Sequence, residues 1–118
     1  MNVYVYIAMP YTGDEEKNVK AAMDVWTELC DIKIPGIVVI PICPHWSHFQ
    51  DARERHKRSY EEWLAWCLAM VRKCDYILRM PGVSPGADRE VELARALHIP
   101  VLTSVGELRD ALDAWTEE

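Results

Sequence analysis

The chain has 118 residues, half of them hydrophobic and 27% charged, and its formal net charge is −6. That length suits a single domain over residues 1–118 and is too short for two. The acidic balance argues against a nucleic-acid polymer or an anionic membrane as the partner. No membrane span or signal peptide is expected, because there is no long apolar run and no basic segment leading into one. The cysteines Cys30, Cys43, Cys67 and Cys74 form no Cys-x-x-Cys pair, which points to reduced thiols in a cytoplasmic protein.

In chain order, Asn2–Met9 alternates valine and tyrosine and reads as a strand. Pro10–Asp14 turns the chain, and Asp14 can cap a helix over Glu15–Cys30 with Val19, Ala22, Met23, Trp26 and Leu29 on one face. Gly36–Ile42 is a continuous apolar run, the pattern of a strand buried on both faces. Cys43–Arg58 mixes polar, aromatic and charged residues without a period; it reads as a long loop with room for a short helical piece, and such loops are commonly functional. Ser59 and Glu62 form a capping box that opens a helix running to about Lys73. Asp75–Met80 is a third strand, Ala87–Leu97 a third helix, Ile99–Ser104 a fourth strand and Val105–Trp115 a closing amphipathic helix. This β-α-β-α-β-α-β-α order predicts an α/β three-layer sandwich. It would have a parallel sheet of four or five strands, flavodoxin- or Rossmann-like, with helices on both faces. Ligands of such sheets sit at the carboxyl ends of the strands.

That rule gathers several groups at one rim. Ser84-Pro85-Gly86 leads into a helix whose first N–H groups are free to meet an anion or a sugar oxygen, and Glu90 lies about one turn in. Glu90 is either a reactive carboxylate or an acid favouring the helix dipole. Tyr6, at the end of the first strand, could reach a neighbouring carboxylate or be an ordinary half-buried tyrosine. Cys43, His45 and His48 resemble part of a zinc site, but a fourth ligand is missing locally and no metal is expected; a pocket lined for a flat base, or a packed loop, fits them better. Arg53–Arg58 reads as a solvated basic rim that could also draw an anionic ligand. Trp63, Leu64, Cys67, Met70, Val71 and Cys74 fall at helical spacing and read as a core face, with Trp63 or Trp66 left to cover the pocket or a subunit contact. Asp75 reads as a cap or structural acid.

Taken together, Val5–Gly13, Asn18-Val19, Pro44–Phe49, Ser59–Trp66 and Cys74–Val101 resemble the nucleoside 2-deoxyribosyltransferase superfamily, nearest its small bacterial and phage branch. That superfamily includes 2'-deoxynucleoside 5'-phosphate N-hydrolases and CMP N-glycosidases. The most specific piece is Ser-x-Gly-x-x-x-Glu followed by a helix and a proline-led strand, here Ser84, Gly86, Glu90 and Pro100.

The resemblance implies cleavage of an N-glycosidic bond of a nucleoside or nucleoside 5'-monophosphate. Glu90 would be the nucleophile and Tyr6 the group orienting it. Ser84 with the Gly86 and Ala87 amides would hold the sugar 5' group. The turn Ala8, Met9, Pro10 and Tyr11, with His45, His48 and Cys67, would line the substrate. It further implies no metal or organic cofactor, and a homo-oligomer, dimer or tetramer, that closes the pocket. Two positions depart from the family pattern. Met9 stands where glycine is usual, and Cys67 where an aspartate helps protonate the leaving base, which leaves Asp75, His45 or His48 for that role. The turn after the first strand carries Pro10 and Thr12 where the nucleotide hydrolases hold phosphate with serine and arginine, which leans toward nucleosides. The alternative is a nucleotide-binding module of the same fold that has lost its chemistry.

Overall fold

The structure is a computed structural model that describes residues 1–54 and 57–116. Its elements are β1 (Asn2–Ala8), α1 (Glu15–Cys30), β2 (Val38–Ile42), α2 (Ser47–Arg53), α3 (Tyr60–Val71), β3 (Tyr76–Arg79), α4 (Pro85–Ala96), β4 (Val101–Leu102) and α5 (Val105–Thr116), with a turn of 3-10 helix over Pro44–Trp46. The strands are parallel in the order β2-β1-β3-β4. Period-two alternation along β1 sends Val3, Val5 and Ile7 to one face, where they pack with Ala22, Val25 and Leu29 of α1 and Leu108 and Leu112 of α5. Tyr6 and Ala8 go to the other face with Ile77 of β3, against Val71 at the end of α3 and Ala87, Val91 and Ala94 of α4. The anticipated α/β sandwich is the one formed. No helix among the described residues is long and apolar enough to cross a membrane.

Three elements differ from the expectation. The segment after β2 is more ordered than a long loop: Pro44 starts the 3-10 turn and α2 follows directly. β2 is an edge strand, so it is not buried on both faces, and Val38 is 56% exposed. Val38 N–H donates to Met1 O at 2.8 Å, and alternation therefore turns the backbone nitrogens of positions 39 and 41 to the open edge, where Pro41 needs no ladder donor. β4 shrinks to two residues because both ends of Ile99–Ser104 are used by helices. His98 adopts φ 61° to end α4, and Ile99 N–H donates back to Ala94 O at 2.8 Å. Ser104 Oγ accepts from Glu107 N–H at 3.0 Å, and the Thr103 hydroxyl donates to Glu107, so both belong to the start of α5.

β1 and β3 are neighbours, but their connections run to opposite faces: α1 follows β1 on one side and α4 follows β3 on the other. The crevice at their carboxyl ends is a topological switch point. Two turns meet there. Gly82 has φ 124°, and a Cβ on it would lie 2.5 Å from Pro10 Cγ, so the turn after β3 packs flush on the turn after β1. Gly82→Ala is expected to lower stability by about 1–3 kcal/mol, through backbone strain and this clash. A chemical-denaturation midpoint unchanged from the parent would refute the packing argument.

Candidate active site

A cavity of about 710 Å³ opens at the switch point. It is lined by Met9 after β1, by Pro44, His45, Ser47 and Asp51 of the 3-10 turn and α2, by Trp63, Leu64 and Cys67 of α3, and by Ser84, Gly86, Ala87 and Glu90 at the start of α4. The mix of apolar walls with a few polar groups suits a small organic ligand. Among the described residues, no group of three or more His, Cys, Asp or Glu is placed to hold a metal ion.

Glu90 belongs to the inward stripe of α4, with Ala87, Val91 and Ala94, and is only 6% exposed. It is the sixth residue of the helix. The first-turn acid that meets the helix dipole is Asp88, one stripe away, paired with Arg79 at 3.2 Å. The wholly buried Tyr6 donates its hydroxyl hydrogen to Glu90 Oε2 across the β1–α4 contact. The Cys67 thiol on α3 stands beside the same hydroxyl. Burial pushes the Glu90 carboxyl up to about 7, while the Tyr6 hydrogen bond and the Arg79 charge pull it back. Burial likewise pushes the Cys67 thiol up to about 11 and Tyr6 well above the usual phenol range, with the Glu90 charge adding to both.

Arg79 is the residue that sequence reasoning missed. Alternation puts it on the Tyr6 face of the sheet, opposite Ala8. Its guanidinium donates to Met80 O and, at 2.7 Å, to Gly82 O, so it ties the turn after β3 to the first turn of α4. An arginine closing an otherwise apolar strand was the available signal.

A family model described as Domain of unknown function (DUF7768) matches residues 3–104. This chain belongs to that family. None of the curated proteins matches the DUF7768 chain in sequence. Among solved structures it is similar to a 2-deoxyribosyltransferase from the psychrotolerant bacterium Bacillus psychrosaccharolyticus. That match has 21% identity and a TM-score of 0.53, and covers 84% of this chain and 69% of the other. At that identity the likeness is one of fold.

Other expected site residues fall in two groups. Met9, Tyr11, His45, Cys67, Ser84, Gly86 and Ala87 line the cavity with Glu90. Ala8, Pro10 and His48 stand behind that lining. Ala8 O accepts from Met80 N–H, Pro10 O accepts from His45 Nε2 at 2.9 Å, and His48 Nδ1 lies 2.8 Å from the Tyr11 hydroxyl. His45 is almost wholly buried, which lowers its pKa; its Nδ1 has no partner among the described residues.

Asp75 is not brought to the cleft. It is exposed beside Tyr4, toward the amino ends of the strands, where its carboxylate accepts from Tyr4 N–H and its own N–H donates to Tyr4 O, both at 2.8 Å. It closes the β1–β3 ladder. The Ala87 amide is not free for a ligand either, because Ser84 Oγ caps it at 3.1 Å. The nearest group to a Cβ on Gly86 would be the Tyr60 hydroxyl at 3.3 Å. Of the basic run, Lys57 and Arg58 reach the cavity, already paired with Asp51 and Glu54, while Arg55 and His56 lie outside the described residues.

Glu90 gives stability a pH dependence of known sign. Its folded pKa lies above the ordinary 4.5, so the folded state holds the proton more tightly. The favourable contribution is complete below pH 4.5 and is lost as pH rises through about 7. The loss is roughly 3 kcal/mol at most. Denaturation of the parent and Glu90→Gln from pH 4 to 8 should show this slope in the parent and its disappearance in the variant; parallel curves would contradict it.

Proposed function

We propose that this DUF7768 protein cleaves the N-glycosidic bond of a nucleoside or nucleoside 5'-monophosphate, by hydrolysis or by transfer to a second base, with Glu90 as nucleophile. The observation that carries this reading is a buried carboxylate, oriented by the Tyr6 hydroxyl, at the wall of the cavity at the β1–β3 switch point. A carboxylate so placed can attack the anomeric carbon as the bond to the base loosens, because it stabilises an oxocarbenium-like transition state and then forms an ester. Water or a second base resolves the ester. Trp63, Met9 and Pro44 give apolar walls for a flat ring.

The charge distribution favours an uncharged nucleoside over its phosphate. The described cations near the cavity are committed: Arg79 to Asp88 and two carbonyls, Lys57 to Asp51, Arg58 to Glu54 and the face of Trp63. A homo-oligomer belongs to the same proposal, with Trp66 of α3, 47% exposed, at the contact; its mass in solution tests this.

Glu90→Gln is expected to abolish base release from a panel of nucleosides and nucleoside monophosphates, followed by chromatography. Full activity in that variant would remove Glu90 from the mechanism. A nucleophile must be ionised, so kcat/KM should rise with pH through about 7. Tyr6→Phe deletes a hydrogen bond that favours the ionised form, so this limb should move to higher pH with a lower rate at neutrality. A limb that stays in place would mean that Tyr6 does not tune Glu90. The neutral thiol of Cys67 beside Glu90 favours one alternative, a module that binds nucleosides without cleaving them. Thermal stabilisation by a nucleoside with no free base released would support the module.

A further inference from the structure

Resting on that glycosidase reading, a departing base needs a proton, and an ionised nucleophile cannot supply it. Most titratable groups near Glu90 are unsuited. Cys67 holds its proton to about 11. His45 is kept neutral by burial, and its Nε2–H is spent on Pro10 O. Lys57 and Arg58 are paired with carboxylates, Asp51 is held by Lys57 and by the Trp63 indole N–H at 3.3 Å, and Asp75 is outside the cleft. Tyr60 lines the cavity but has no titratable partner among the described residues.

One cluster is left, built from three elements. The turn after β1 supplies Tyr11, the first residue of α1 supplies Glu15, and α2 supplies His48. Tyr11 and Glu15 line the same cavity as Glu90. The Tyr11 hydroxyl lies 2.8 Å from His48 Nδ1 and 3.5 Å from Glu15 Oε2, and Glu15 Oε2 lies 3.9 Å from His48 Nδ1. Asn18 fixes the turn by donating to Tyr11 O at 3.0 Å. Burial and the charges of Glu15 and Asp51 push Tyr11 up to about 12, so its hydroxyl stays protonated and gives up its hydrogen only if another is delivered behind it.

We propose that Tyr11 and His48 together protonate the departing base, Tyr11 touching the base and protonated His48 resupplying Tyr11. As the bond between C1' and the base nitrogen breaks, its electron pair leaves with the base. Glu90 Oε forms the new bond to C1'. The Tyr11 O–H proton passes to the base, and the His48 Nδ1–H proton passes to the Tyr11 oxygen. His48 ends neutral and Tyr11 unchanged. The Glu15 carboxylate faces the same Nδ1 at 3.9 Å. Tyr11 is thus a catalytic residue, and His48 acts through it as a positioning and proton-holding one.

The test compares leaving groups that need a proton with ones that do not. An N7-methylated purine 2'-deoxynucleoside departs as a neutral base without protonation; its unmethylated parent does not. For pyrimidines, uracils made less basic by 5-nitro substitution replace the methylated purine. Tyr11→Phe and His48→Gln are each expected to lower kcat on the unmodified nucleoside at least ~100-fold and to leave the activated one within about threefold. Loss on both substrates alike would assign the pair a structural or binding role, and loss on neither would exclude it; either result overturns the proposal. A wild-type protein that cleaves neither substrate removes the glycosidase reading itself, and this proposal with it. The two variants alter different elements, so misfolding of one leaves the other decisive.

Discussion

The site depends on one hydrogen bond formed between the sheet and the helical layer that covers it. Tyr6 rises from the central strand and meets Glu90, which descends from α4. The strand alone does not make the contact, because Tyr4, two residues back on the same face, ends partly exposed beside Asp75. From position 6 onward α4 covers this face of the strand. An ionised carboxylate there is costly, and a single phenol is a modest compensation. Arg79 adds a smaller pull in the same direction, and its donors hold the turn that starts α4, yet burial still leaves the carboxyl raised to about 7. One arginine therefore both eases the charge on Glu90 and helps fix where Glu90 stands.

Much of the architecture was legible in the sequence because period and punctuation agree. Valine and tyrosine alternate through β1, Asp14 and Ser59 cap their helices as their positions require, and the alternation of strands and helices dictates a parallel sheet. What was not legible was mostly competition for the same residues. Thr103 and Ser104 look like strand but serve as a helix start, so β4 is short. Asp75 sits at a boundary where either a helix end or a strand could have claimed it, and backbone pairing with Tyr4 did so. Burial keeps His45 neutral, and its Nε2–H is received by Pro10 O, 35 residues away, a contact that no local pattern encodes.

For the site, the turn Ser84–Glu90 was readable as a place of interest, but its division of labour was not. Ser84, Asp88 and Glu90 follow one another within seven residues, and helical geometry gives each its own partner. Ser84 caps the Ala87 amide, Asp88 pairs with Arg79, and Glu90 faces Tyr6. A one-residue shift of the helix start would turn each of these side chains about 100° away from its partner. Pro85 at the first helical position guards against that, since its fixed φ places the start of the helix.

The outer rim of β2 carries a quieter consequence. With Pro41 turned to that side, an incoming strand from another molecule would meet a gap in the ladder where a donor should be. Strand-by-strand growth along this border is thereby resisted, and a neighbour that settles on the helical coats instead leaves the strands beneath undisturbed.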